Sequence, residues 1–422
     1  MKTYTIIAGI LTGIVMAGTA RAQFSMSGEL RPRAEYRHGF QSLVSSDTDA
    51  AFFVSQRTRL NLNHTDTRMS FRLSLQDVRV WGDNPQLNRF DNNSSVHEAW
   101  GEFKFTDELS IRAGRQELVY DNSRILGNVD WAQQGRSHDL ALLKYQNTTK
   151  LQVHLGLAFN QDTEKLAGTF YTVPNNYKTM QFLWFNKKFG TSAISLLVLN
   201  NGIQVTGETG NDVYFSQTLG GRFEHKKDDW DLSAEAYLQT GKDILHQNIS
   251  AWYASLQGNR KLNDNFTLNL GFEWLSGTDE QDMKDGSYNK NHSFNPLYGT
   301  NHKFNGHMDY FYVGNHINNV GLLNPYGGAT YRKDQFTAQF VLHAFMSGGL
   351  LNDPENTGQT MDRYLATEAD MIFGYVVTPQ IAVRAGYSQM FASESMEVFK
   401  GGSRKEMNNW AWLMLVMKPK FF

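Results

Sequence analysis

The residues of this chain with the clearest chemical use are arginines, and they recur at alternate positions. Arg31, Arg33 and Arg37 share one parity, Arg57 and Arg59 repeat the pattern, and Arg72 and Arg112 sit on later polar faces. A guanidinium is planar, stays charged at any working pH and grips a carboxylate through two parallel hydrogen bonds. A row of them therefore suits the attraction of anions. Acids lie among them (Glu29, Glu35, Asp77, Glu98 and Glu102), so pairing within the row is the competing use. Covalent chemistry has less to work with. The chain has no cysteine, which excludes disulfides, thiolate metal sites and cysteine nucleophiles. Glu98 and Glu102 share a strand face four residues apart and resemble a glycosidase pair, but charge lining a polar face is the simpler use. His292, His302, His307 and His316 match no strong metal-ligand spacing. No Ser or Asp nucleophile has a local signature. Neither an enzyme, a cofactor nor a metal site is expected.

The arginines must be positioned by strands. From Phe24 to Arg37 the chain alternates strictly. Phe24, Met26, Gly28, Leu30, Pro32, Ala34 and Tyr36 form one set, and Ser25, Ser27, Glu29, Arg31, Arg33, Glu35 and Arg37 the other. A period of two marks a strand with one apolar and one polar face. Pro32 cannot donate to a ladder, which predicts a bulge or a local pairing defect there. The alternation recurs over 151–160, 266–274 and 365–373, where Leu365 to Phe373 oppose Glu368 and Asp370.

Alternation alone fits either a soluble sandwich or a membrane barrel. The connections discriminate. Short polar turns fall near 65–67, 106–108, 146–149, 188–190, 225–228, 261–263, 333–335 and 378–379. Longer polar segments fall near 39–51, 82–95, 119–130, 161–176, 201–212, 241–248, 276–319, 347–362 and 393–407. Long and short strictly alternate, which predicts eighteen strands with short turns at one end and long loops at the other. That is the plan of an all-β transmembrane antiparallel barrel, with short periplasmic turns and long external loops. On a lipid face each midplane arginine would cost about 2–4 kcal/mol, so the seven arginines above are expected in the lumen or at its rims.

Composition agrees. With 40 Lys+Arg against 42 Asp+Glu the net charge is −2, which argues against a nucleic-acid binder. Past the first residues no run is apolar for the ~20 residues a spanning helix needs. Residues 1–22 read as a cleaved signal peptide: Lys2 is the positive region, Ile6 to Ala17 the apolar run, and Ala20-Arg21-Ala22 the cleavage site. One barrel domain is expected over 23–422. Trp81, Trp131, Trp230, Trp274 and Trp410 fall near strand ends, where aromatic rings favour the lipid headgroup level. The chain closes on an aromatic strand and ends Phe421-Phe422, which resembles the signal read by barrel-assembly machinery.

The stretch from Gly114 to Tyr145 is the most distinctive. It holds Gly114-Arg115-Gln116-Glu117-Leu118, then Arg124-Ile125-Leu126-Gly127, Asp130-Trp131, Gly135-Arg136-Ser137 and Asp139, and is preceded by Gln76-Asp77-Val78-Arg79-Val80-Trp81-Gly82-Asp83. These blocks closely resemble the alginate-export family of outer-membrane porins. The resemblance implies a passive channel for an anionic polysaccharide or oligosaccharide, through a basic constriction with interspersed acids. It carries that role to Arg79, Arg115, Arg124, Arg136, Asp130 and Asp139, which join Arg31, Arg33, Arg57, Arg59, Arg72 and Arg112 as the expected pore lining. The segment from Leu297 to Phe311 looks like a later element of the family that caps or enters the pore, with aromatics suited to sugar rings. A less selective porin for small solutes is the alternative. The expected location is the bacterial outer membrane, with its lipid, the assembly machinery and a periplasmic protein as the candidate partners besides the sugar.

Overall fold

The computed structural model describes residues 23–205, 212–285 and 290–422. The expected signal peptide over 1–22 lies outside the described residues. Eighteen strands form one closed antiparallel barrel. The first part of the wall is β1 (Gln23–His38), β2 (Ala51–Thr65), β3 (Met69–Val80), β4 (Ser94–Lys104), β5 (Leu109–Gln116), β6 (His138–Gln146), β7 (Leu151–Phe159), β8 (Thr179–Phe189) and β9 (Ser192–Val205). It continues through β10 (Asp212–Lys227), β11 (Trp230–Lys242), β12 (Asn248–Lys261), β13 (Phe266–Leu275), β15 (Leu322–Lys333), β16 (Phe336–Met346), β17 (Tyr364–Thr378), β18 (Ile381–Ala392) and β19 (Asn408–Met417). β1 pairs with β2 on one side and with β19 on the other, which closes the ring. The two-residue β14 (Lys290–Asn291) attaches in parallel to the start of β12 and is not part of the antiparallel wall.

The connections sort by length as the sequence predicts, with eight short turns at one end and nine longer connections at the other. No helix among the described residues is long and apolar enough to cross a membrane. Alternation sets the two faces. In β1, Glu29, Arg31, Arg33 and Glu35 are buried inside, while Phe24 and Tyr36 are exposed outside. Leu196, Val198, Leu256, Leu270, Phe373 and Leu413 extend the apolar outer band. Pro32 keeps its place opposite Gln56, but the ladder to β19 lapses between Leu30 and Arg33 without a change of register. The defect is a local loss of pairing, as expected where a donor is missing. Beyond Met417 the tail folds back along β1, with the Met26 amide donating to the Phe422 carbonyl at 2.9 Å.

Two features depart from the sequence reading. Trp131 and Trp410 were expected at the lipid interface but lie inside the barrel, Trp410 fully buried, while Trp81 and Trp230 are exposed. The inner face is also not polar all round. Met180, Phe182, Trp184, Leu197, Leu199, Tyr237 and Tyr253 form an apolar patch on the wall across from the arginines. The physical reason is that the lumen is filled. Two long connections, 117–137 and the described part of 276–321, turn inward and give these rings a core to join.

Candidate functional site

The first inward segment is held from one side by polar bonds and from the other by apolar packing. Leu118, Tyr120, Ile125 and Leu126 belong to the core that includes Phe182, Trp184 and Tyr253. On the opposite side the alternating arginines of β1 and β2 reach its backbone. Arg31 donates to Gln133 Oε1 at 3.1 Å and to the Ala132 carbonyl at 3.2 Å. Arg33 donates to the Trp131 carbonyl at 2.8 Å, Arg57 to the Gln133 carbonyl at 3.4 Å, and Arg59 to the Gln134 carbonyl at 3.2 Å. Four inward arginines thus bind consecutive positions of one loop. Gly135 follows at φ +64, and a Cβ there would lie 2.8 Å from Arg59 Nη2, so only glycine allows this approach.

Acids complete the lock. Arg57 pairs with Glu29 at 2.6 Å and with Asp130 at 2.8 Å, and Arg31 reaches Asp130 at 3.4 Å. Arg33 and Arg37 share the single carboxylate of Glu35, each at 2.8 Å. Burial pushes the Asp130 carboxyl up, but the Arg57 and Arg31 guanidiniums pull it down further, so it ends below the ordinary aspartate value. In a released loop Asp130 would titrate near ~3.9. Its contribution to docking is therefore complete above that value and is lost as pH falls through the lower docked value. Channel conductance in planar bilayers is expected to stay flat from neutral pH to about pH 4 and to rise below it as the loop loosens.

Arg124 and Arg136 join the two inward segments. Arg124 is fully buried, donates to Asn305 Oδ1 at 3.2 Å, lies 3.5 Å from Glu273 and sits over the Tyr253 and Phe304 rings. Arg136 donates to the Gly299 carbonyl at 3.0 Å and has no ion pair with any described residue. The second segment is pinned to the wall by Glu368 of β17, whose Oε1 accepts the amides of His307 at 2.6 Å and Met308 at 2.8 Å. Gly306 has φ +80, and a Cβ there would meet Glu368 Oε2 at 2.5 Å. Because Glu368 is buried, it cannot swing aside. Gly306→Ala is expected to undo the clamp at a cost of roughly 1–3 kcal/mol, read as faster proteolysis of this segment in an otherwise heat-resistant barrel.

The remaining candidates divide by strand phase. Arg72 pairs with Glu98, and Arg112 pairs with Glu102 at 2.6 Å and covers Trp100, all on the inner face toward the short turns. Lys144 also holds Glu102, so the two glutamates are occupied by cations and are not a spaced acid pair facing a common void. Arg115 and Asp139 require correction. Arg115 shares the parity of Ile111 and Ala113, and Asp139 that of Ala141 and Leu143, so their 2.8 Å pair sits on the outer face near the long-connection end. Arg79 stands opposite Gln56, in phase with Leu73 and Leu75, pairs with Asp77 and Asp91, and still borders the chamber toward the long connections. Motif position carried Arg115 and Asp139 toward the pore, whereas a strand sends every second residue outward.

Two chambers remain beside the inward segments. The outer one, about 570 Å³ and toward the long connections, is bordered by Arg33, Glu35, Arg37, Asp83, Arg136 and Asp309 among others. The inner one, about 400 Å³ and toward the short turns, is bordered by Glu273, Lys303, His307, His343 and Arg384 among others. Among the described residues only Trp131 and His302 border both, and their rings stack with centroids 4.5 Å apart and planes 13° apart. Lys303 and Arg384 have no carboxylate partner among the described residues, and Glu273 is already paired with Arg124. Sequence reasoning missed both cations. Arg384 stands among Ala382, Gly386 and Ser388, so its face carries no charged row to mark it. The segment from Leu297 to Phe311 does enter the lumen. No cluster of His, Asp or Glu among the described residues is arranged to hold a metal ion.

Comparison with known proteins places this geometry. A family model described as alginate export matches residues 22–408. No curated protein matches the sequence. Among solved structures, the chain is similar to OccAB4 of Acinetobacter baumannii, with a TM-score of 0.63 and 12% identity over 94% of this chain and 98% of that one. It is similar to OccK2 (OpdF) of Pseudomonas aeruginosa in complex with glucuronate, with a TM-score of 0.60 and 13% identity over 95% and 97% of the two chains. The outer membrane protein opdK of Pseudomonas aeruginosa gives a TM-score of 0.61 and 10% identity over 94% and 99%. At such identities the likeness is one of fold.

Proposed function

The chain belongs to the alginate export family and is a channel of the bacterial outer membrane; from that premise we propose that it passes anionic oligosaccharides or polysaccharides, of the uronate type, by passive movement. The observation that carries this reading is the placement of cations without acidic partners on both sides of the Trp131–His302 stack. Arg136 borders the outer chamber, and Lys303 and Arg384 border the inner one. A carboxylated sugar would meet an unneutralised cation on each approach. The field of such groups raises the local concentration of anions in a narrow, low-dielectric passage. Arg31, Arg33, Arg57 and Arg59 take a different part in this reading. They hold the loop that shapes the passage, and the substrate meets the cations that the loop leaves free. The glucuronate bound to the similar OccK2 fits the same class of solute. The leader over 1–22 is removed on export, and the tail ending Phe421-Phe422 engages the assembly machinery.

Liposome swelling with galacturonate and galactose, which differ in one carboxylate, tests the reading. The uronate is expected to enter several-fold faster at low salt. The advantage should shrink toward physiological salt, where screening acts within about 8 Å. Equal rates at every salt concentration would leave a general porin in its place.

A further inference from the structure

Trp131 and His302 border both chambers, and their stacked rings leave no gap between them. The two rings are held very differently. Trp131 is fixed to the wall. Its carbonyl accepts from Arg33 at 2.8 Å, and the Arg33 guanidinium lies 4.0 Å from its ring centroid. Trp410 and Trp412 meet it edge-on at 5.5 and 4.9 Å. A guanidinium and an imidazole both in contact with one indole must lie on opposite faces, so His302 covers the face that Arg33 leaves. His302 is held by its own segment. It donates from Nδ1 to Asp309 at 2.6 Å and stacks on His307 at 5.6 Å. The rings it meets outside its own segment, among the described residues, are those of Trp131 and Trp410.

We infer that the Trp131–His302 stack is the closed point of the route, and that a sugar ring takes the place of His302 on the indole when the channel conducts. A pyranose presents a flat array of C–H groups about as broad as an imidazole, and their slight positive charge suits the electron-rich indole face. Displacement of the His302 ring from the indole, with the clamped segment in place, would join the two chambers there. A ring seated there would have Arg136 on one side and Lys303 and Arg384 on the other for its carboxylates and those of its neighbours. Trp131 is thus assigned as a substrate-stacking residue and His302 as its internal stand-in. That the ring is a uronate rests on the proposed substrate class.

The test uses the full-length channel in planar bilayers, with short oligogalacturonate and a neutral maltooligosaccharide as blockers. His302→Ala is expected to raise the potassium chloride conductance by about twofold or more and to keep or tighten oligogalacturonate block. Trp131→Ala should also conduct more, but with block weakened by about three- to tenfold, which corresponds to ~0.7–1.4 kcal/mol for one aromatic contact. Trp131→Phe, which keeps an aromatic face, should retain most of the block. Heat-modifiable migration on gels confirms that each variant holds its barrel. Unchanged conductance in His302→Ala would overturn the closed point. Equal block in Trp131→Ala and Trp131→Phe would overturn the stacking site. If the neutral sugar blocks as well as the uronate while the variants behave as stated, the stacking site stands and the uronate assignment fails.

Discussion

Replacing Arg57 with alanine is expected to release the inward loop and turn a nearly closed channel into a noisier, more conductive one. Arg57 is 1% exposed and bonds Glu29, Asp130 and the Gln133 carbonyl at once. Removing one member of a buried ion pair leaves its partner charged and unsolvated, at a typical cost of about 3–5 kcal/mol. Here that cost falls on Glu29, which is 9% exposed and keeps the more distant Arg31 and Lys418, each at 4.0 Å, and on the docking of Asp130. The loop is the part that can relieve it, because the strands are fixed by a closed ladder while 130–134 is fixed mainly by these side-chain bonds. Asp130→Asn should act in the same direction but less, since its carboxylate is half-exposed and Glu29 remains paired. Single-channel recording checks both variants. Wild-type conductance and noise in Arg57→Ala would show that the arginine row does not hold the loop.

The second large effect is expected from Arg136→Ala combined with Arg384→Ala. Both cations border chambers and neither has a carboxylate partner among the described residues. The double variant removes one free charge from each side of the closed point without disturbing an ion pair. Anion preference in a low-salt gradient is expected to fall by about severalfold, with little change at high salt, because fields of this kind are screened. Arg115→Ala serves as the contrast. Its pair with Asp139 lies on the outer face, so selectivity should not move. A fall in selectivity with Arg115→Ala equal to that of the double variant would contradict the assignment of faces.

The barrel was legible because its two signals are local and repeated. Parity in 24–37 sets the faces of β1, and the alternation of connection lengths counts the strands. The same parity puts Arg31, Arg33, Arg57, Arg59, Arg72 and Arg112 on one strand face, the one that carries Glu29 and Glu35. What it could not give was their partners. Arg31 and Gln133 are 102 residues apart, and their bond depends on a loop that folds back across the lumen. The loop's own sequence, rich in Gly, Asn and Gln, reads equally well as an external excursion. Arg115 and Asp139 were placed by motif, and motif position does not encode strand phase. Trp131 was placed at the interface because it follows a strand-end pattern, yet its loop carries it inward to Trp410 and Trp412. Met180, Phe182 and Trp184 show the converse case. An inner face is polar only where water reaches it, and here the loop's Tyr120 takes that place.

The most direct measurement is the reversal potential of the wild-type channel across a potassium chloride gradient at low ionic strength. The described chambers place free cations on both approaches to one closed point, although the chain as a whole is net acidic. The potential is therefore expected to have the sign of chloride preference and to shrink as salt is raised. A potassium-selective channel, or one without preference at low salt, would contradict the proposal that it conducts anionic sugars.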